Sequence, residues 1–102
     1  MNRTIIMLSD PFPTRFDLRA EASPGLLPRL LQPFAKRDVT PYLFQARRVG
    51  EEMDITITCH ELEPGMAALI AGNLGQVIGV TRVLVTPGDQ LPMPRQGAAQ
   101  FG

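Results

Sequence analysis

One cysteine and one histidine, adjacent as Cys59 and His60, are all that the 102-residue chain offers of either type. A lone thiol excludes an internal disulfide, and one Cys with one His cannot complete the four-ligand cage of a structural zinc site. A reducing compartment, the cytoplasm, is therefore the expected setting, and no metal or other cofactor is expected. Charge of one sign is also lacking: ten Lys+Arg balance ten Asp+Glu. With no net field to draw in a polyanion, neither nucleic acid nor an acidic membrane is an expected partner. Long apolar runs are missing too. Ile5-Ile6-Met7-Leu8 is cut off by Ser9-Asp10-Pro11, shorter than the ~7–15 apolar residues of a secretion signal, so none is expected. Residues 64–81 carry no charge, but Gly65, Gly72, Asn73, Gly75, Gln76 and Gly79 interrupt them. A membrane span needs ~20 mainly apolar residues, so this stretch does not read as one.

What is present suits one small globular domain: 44% of residues are hydrophobic and 20% charged, close to the soluble average. Composition shifts at both ends. Residues 1–13 finish in Asp10-Pro11-Phe12-Pro13 and read as an extension. Residues 87–102 hold Pro87, Gly88, Pro92, Pro94, Gly97 and Gly102 and read as a flexible tail. The folded domain is expected over residues 14–86.

Within it, Phe16, Leu18, Ala20 and Ala22 alternate with Arg15, Asp17, Arg19 and Glu21, the period of a half-buried strand. Ser23 is placed to cap a helix beginning at Pro24, with Leu26, Leu27, Leu30, Leu31 and Phe34 on one side and Lys36-Arg37 at the end. Pro28 and Pro33 fall inside that helix and predict a bend or a tightened turn. Residues 42–48 read as a second strand. A turn at Gly50-Glu51 leads to a third, in which Met53, Ile55, Ile57 and Cys59 alternate with Asp54, Thr56, Thr58 and His60. Pro64-Gly65 opens a second helix striped by Met66, Ile70 and Leu74 and ended near Gly75, and the β-branched residues 77–86 form a fourth strand. The order is β-α-β-β-α-β. Pro24-Gly25-Leu26 and Pro64-Gly65-Met66 stand 40 residues apart (64 − 24), each following a strand and opening a helix. Two similar halves joined by right-handed crossovers give an α+β, ferredoxin-like sandwich. Its four-stranded antiparallel sheet has order 4-1-3-2, with two helices on one face.

That architecture hosts many functions, so the residues must decide. The open sheet face carries Arg15, Asp17, Arg19, Asp54, Thr56 and Thr58, with no ring on which a nucleobase could stack. Cys59 and His60 project to opposite faces of a strand, which discourages both a soft-metal site and a thiol–imidazole pair. Glu61 and Glu63 have no partner acid and suit the positive end of the second helix. No catalytic residue is assigned.

Three features remain. At Ala22-Ser23-Pro24-Gly25-Leu26-Leu27 a strand runs into a helix start, where free N–H groups suit a small carboxylate or anion; an ordinary capped helix start is the other reading. In the uncharged second helix, Ala68, Ala71, Gly72 and Gly75 occupy positions usually held by Lys and Glu. Another molecule, the chain's own tail, or plain exposure of small residues each accounts for that. Arg47-Arg48 ends the second strand, an edge. The arginines either protect that edge or flank its pairing with a second chain.

Residues 16–27 (FDLRAEASPGLL) and 30–39 (LLQPFAKRDV) resemble the start of an ACT domain, in which a strand leads into Pro-Gly-x-Leu and a helix. Residues 66–85, ending in Gly79-Val80-Thr81-Arg82-Val83-Leu84-Val85, look like its second helix and last strand. At this length the chain is most similar to the short small (regulatory) subunits of acetolactate synthase, a thiamine-diphosphate enzyme of branched-chain amino-acid synthesis. The resemblance implies a non-catalytic regulatory protein and a homodimer joined sheet to sheet. It also implies a large catalytic subunit as partner and an amino-acid effector such as valine. Carried over position by position, the effector site is Ser23, Gly25, Leu26 and Leu27; the strand edge and the uncharged helix face make Tyr42, Phe44, Arg47, Ala68 and Gly72 the expected dimer or partner interface. Ligand-responsive members commonly hold Asn or Asp where this chain has Ser23 or Ala22, and a methyl cannot accept from an effector's ammonium group. A stand-alone amino-acid or metabolite sensor is the alternative.

Overall fold

The computed structural model describes residues 12–88. Of the expected N-terminal extension and C-terminal tail, only residues 12, 13, 87 and 88 fall within it; the rest lies outside the described residues. The elements run β1 (Thr14–Glu21), α1 (Leu26–Ala35), β2 (Leu43–Val49), β3 (Glu52–Cys59), α2 (Pro64–Gly75) and β4 (Val80–Thr86). All pairings are antiparallel, in the order β2-β3-β1-β4, which is 4-1-3-2 read from the other edge.

The alternation read in β1 and β3 sets the register. Phe16 lies across from Ile57 and Leu18 from Ile55, so one face of the two central strands is apolar. That face buries against Leu26, Leu30 and Phe34 of α1 and Ala67, Ile70 and Leu74 of α2. At its centre the rings of Phe16 and Phe34 meet edge to face, centroids 5.2 Å apart, the arrangement aromatic quadrupoles favour. Cys59 is fully buried in the same cluster.

Three boundaries differ from the sequence reading. Helix α1 begins at Leu26, not Pro24, and Ser23 makes no side-chain cap; its carbonyl instead accepts from the Leu26 N–H at 3.2 Å. Pro28 consequently lies in the first turn, where an N–H has no intrahelical partner to lose, and only Pro33 interrupts the helix interior. Strand β4 begins at Val80, not Val77. The residues before it turn the chain, with Gly79 at φ +99° and the Val80 N–H on the Val77 carbonyl. β2 begins at Leu43, with Tyr42 just outside it.

The close of α1 is built on Asp38, at φ +56°. The Asp38 N–H reaches the Ala35 carbonyl and the Val39 N–H reaches that of Phe34, the paired bonds of a Schellman ending. Val39 is thereby drawn into the core beside Phe34. In the β2–β3 hairpin, Gly50 takes φ +66° and Val49 faces Glu52 across a two-residue loop, the pattern of a type II′ turn.

Candidate functional site

The predicted effector residues fall in a single turn at the start of α1. The turn is pinned from both sides: Glu21 N–H donates to the Gly79 carbonyl at 2.9 Å, and Ala22 N–H to the Glu51 carbonyl at 3.0 Å. Ser23 is exposed, Gly25 and Leu27 are half-buried, and Leu26 is buried in the core. A charged group lies directly over the turn. The Arg29 guanidinium folds back one turn, so that a Cβ on Gly25 would stand 3.3 Å from its carbon. The positive end of the helix dipole and a guanidinium above it both favour an anion here. Sequence reading missed Arg29, which helical spacing puts one turn beyond Gly25.

The interface candidates separate into two places. Tyr42, Phe44 and Arg47 lie at β2, an edge whose residues are all exposed or half-buried. Register puts Phe44 and Ala46 on the same face as Ile57 and Ile55, yet Ala46 is exposed, because the helices do not extend over this edge. β2 therefore offers both faces as well as its outer backbone groups. Ala68 and Gly72 are on the exposed side of α2, and α2 packs over β4, the opposite edge. The two groups stand on opposite margins of the domain.

The open sheet face is a charge ladder. Arg19 pairs with Asp54 and, at 3.0 Å, with Glu52 on β3; Arg47 reaches Asp54 from β2 at 4.0 Å. Arg15 pairs with Asp17 at 2.8 Å, and Thr56 Oγ1 donates to Asp17 at 3.0 Å. The hydrogen bond to Asp54, then that to Glu52, raises the Arg19 pKa above the ordinary guanidinium value. A raised cation contributes its stability at every pH below the unfolded value and loses it only above, so this ladder's guanidinium stays charged across the physiological range. His60 Nδ1 lies 2.9 Å from the Glu61 carbonyl, away from buried Cys59.

Three concave regions accompany these features. One of about 300 Å³ lies between Arg29, Gln32, Pro33 and Lys36 of α1 and Asn73, Gln76, Val77 and Ile78. Two of about 360 and 640 Å³ lie on the sheet face around Arg47, Asp54 and Thr56. None of the three is lined by Ser23, Gly25, Leu26 or Leu27. Among the described residues no three of His, Cys, Asp and Glu gather as a metal site would require, and no helix is long and apolar enough to cross a membrane.

A βαββαβ sandwich with this strand order places the chain in the class of small ferredoxin-like sheet-and-helix modules. A family model described as an ACT-like domain matches residues 10–91, and the chain belongs to that family. Among solved structures, it is similar to the ACT domain of the GTP pyrophosphokinase of Chlorobium tepidum. That match has TM-score 0.65 at 13% identity and covers 74% of this chain and 97% of that one. A homoserine dehydrogenase from Thiobacillus denitrificans matches at TM-score 0.63 and 17% identity, over 74% of this chain and 17% of that one. The ligand-free regulatory subunit of aspartate kinase from Thermus thermophilus matches at TM-score 0.59 and 14% identity, over 76% and 52%. At such identities the likeness speaks for the fold alone. No curated protein matches the chain in sequence.

Proposed function

We propose that this ACT-like domain is a non-catalytic regulatory protein that acts by docking, as a homodimer, on a larger enzyme. Family membership supports the regulatory class, and the name of the aspartate kinase neighbour is in keeping with it. The observation that carries the docking is β2, open on its edge and both faces. In a homodimer, Tyr42, Phe44 and Arg47 join β2 to its copy across a two-fold axis, while Ala68 and Gly72 belong to a second docking face. By the sequence resemblance the partner is the large catalytic subunit of acetolactate synthase, in the cytoplasm. The protein shifts that enzyme's conformational populations without doing chemistry. The test is to add the purified protein to the acetolactate synthase catalytic subunit of its own organism. A change in synthase activity with co-elution is expected; a mixture showing neither overturns the assignment.

The second reading, a stand-alone amino-acid sensor, is favoured by the guanidinium of Arg29 above Gly25, a setting suited to an effector's carboxylate. Calorimetry with a panel of amino acids including valine separates the two. Tight binding without any partner favours the sensor, and absent binding with co-elution favours the subunit.

A further inference from the structure

The outward side of α2 is bare within the described residues. A Cβ added at Gly65 or Gly72 would meet nothing within 4 Å, and Leu69 is 51% exposed. No residue from 64 to 81 is charged, so this side lacks the Lys and Glu that usually face water. We propose that in the free protein this face is covered by the chain's own N-terminal segment, through Ile5, Ile6, Met7 and Leu8. The proposal stands apart from the regulatory reading and does not depend on it.

The entry point of that segment carries the argument. Thr14, the first residue of β1, accepts the Leu62 N–H on its Oγ1 at 3.0 Å, two residues before α2 opens at Pro64. Phe12 lies against Gly88, just past the end of β4, and β4 is the strand over which α2 packs. The chain therefore joins the fold beside the first turn of α2 and on its side of the sheet. Five residues, 9–13, link Leu8 to Thr14 and reach up to ~17 Å when extended. The bare side of α2 from Gly65 to Gly72 rises only about 10 Å. The segment is long enough to lie along it.

Chemistry selects this occupant. Outside the described residues, the one run of four consecutive large apolar side chains is Ile5-Ile6-Met7-Leu8; residues 89–102 break theirs with Pro92 and Pro94. The run is as free of charge as the face it would cover. A tether this short holds it at millimolar effective concentration, which a second copy of the chain does not match at ordinary protein concentrations.

Thiol labelling tests this, since Cys59 is fully buried and a thiol introduced by Ala68→Cys reports on the face. Labelling is compared in the full chain, in the chain lacking residues 1–9, and in the full chain carrying Ile6→Asp. Deletion and Ile6→Asp are each expected to speed labelling at position 68 about tenfold, the change produced by losing ~1.4 kcal/mol of cover. Cys59, followed in the same backgrounds with Ala68 intact, stays unreactive. Ile6→Asp carries the test if the shortened chain fails to fold. Equal rates in all three overturn the proposal. So does protection that grows with protein concentration, which would mean a second copy, or, in a fourth chain lacking residues 89–102, an acceleration that the other two variants do not show.

Discussion

Arg19 and Arg82 face each other directly across β1 and β4. Arg19 turns to Asp54 and Glu52 on its other side, so the row Arg47, Asp54, Arg19, Arg82 crosses all four strands with alternating sign until its last step. Like charges directly opposite in a sheet are unfavourable. Arg82→Glu therefore raises the unfolding midpoint at low salt, and the rise shrinks at high salt as screening takes over. Arg82→Lys leaves the midpoint where it was. Thermal melts of the three proteins at two ionic strengths check this.

Phe34 has no exposed surface and meets Phe16 at the centre of the core. Phe34→Ala is expected to cost about 3–5 kcal/mol, a large share of the ~5–15 kcal/mol of a whole domain. Phe34→Leu should cost less than half of that. Urea titrations of both variants give the comparison.

Asp38 closes α1 from the left-handed region, where a side chain costs roughly 1–2 kcal/mol and branching at Cβ makes it worse. Asp38→Gly is expected to match or exceed the natural chain in stability, and Asp38→Val to fall below it by about 1–2 kcal/mol. The same titrations measure both.

Thr14 is 2% exposed, and its hydroxyl oxygen accepts the Leu62 N–H. Thr14→Val keeps the shape and leaves that donor unpaired, at a cost of about 1–3 kcal/mol. Thr14→Ser restores the acceptor and recovers most of the loss. Amide exchange at Leu62 should speed in the first variant and not in the second.

The sheet was legible because β1 and β3 alternate without a fault, and α2 because Ile70 and Leu74 stand four residues apart on one stripe. Boundaries were less legible where two residues compete for one role. Ser23 is a good cap by type, yet Pro24 and Gly25 turn the chain before the helix begins, and the Ser23 carbonyl takes the hydrogen bond instead. Val77 and Ile78 have strand composition, but Gly79 at φ +99° places them in the turn. Asp38 is of a type that enters the left-handed region more readily than most, but residue type alone does not single out this aspartate from the others in the chain. The candidate site was half legible. Its helix start follows from Pro24-Gly25-Leu26, whereas Arg29 above Gly25 depends on a side-chain path. The row ending in Arg82 depends on a cross-strand register, and neither is written in local spacing. The separation of Tyr42, Phe44 and Arg47 from Ala68 and Gly72 follows from the sheet order together with the packing of α2 over β4.

Phe12 and Gly88 lie side by side where the chain enters and leaves the sheet. A unit whose two ends emerge together can be spliced into a surface loop of a host without prying that loop apart, or closed into a ring and reopened elsewhere. The hairpin tip at Gly50, with open space around it, is the natural place for such a new opening.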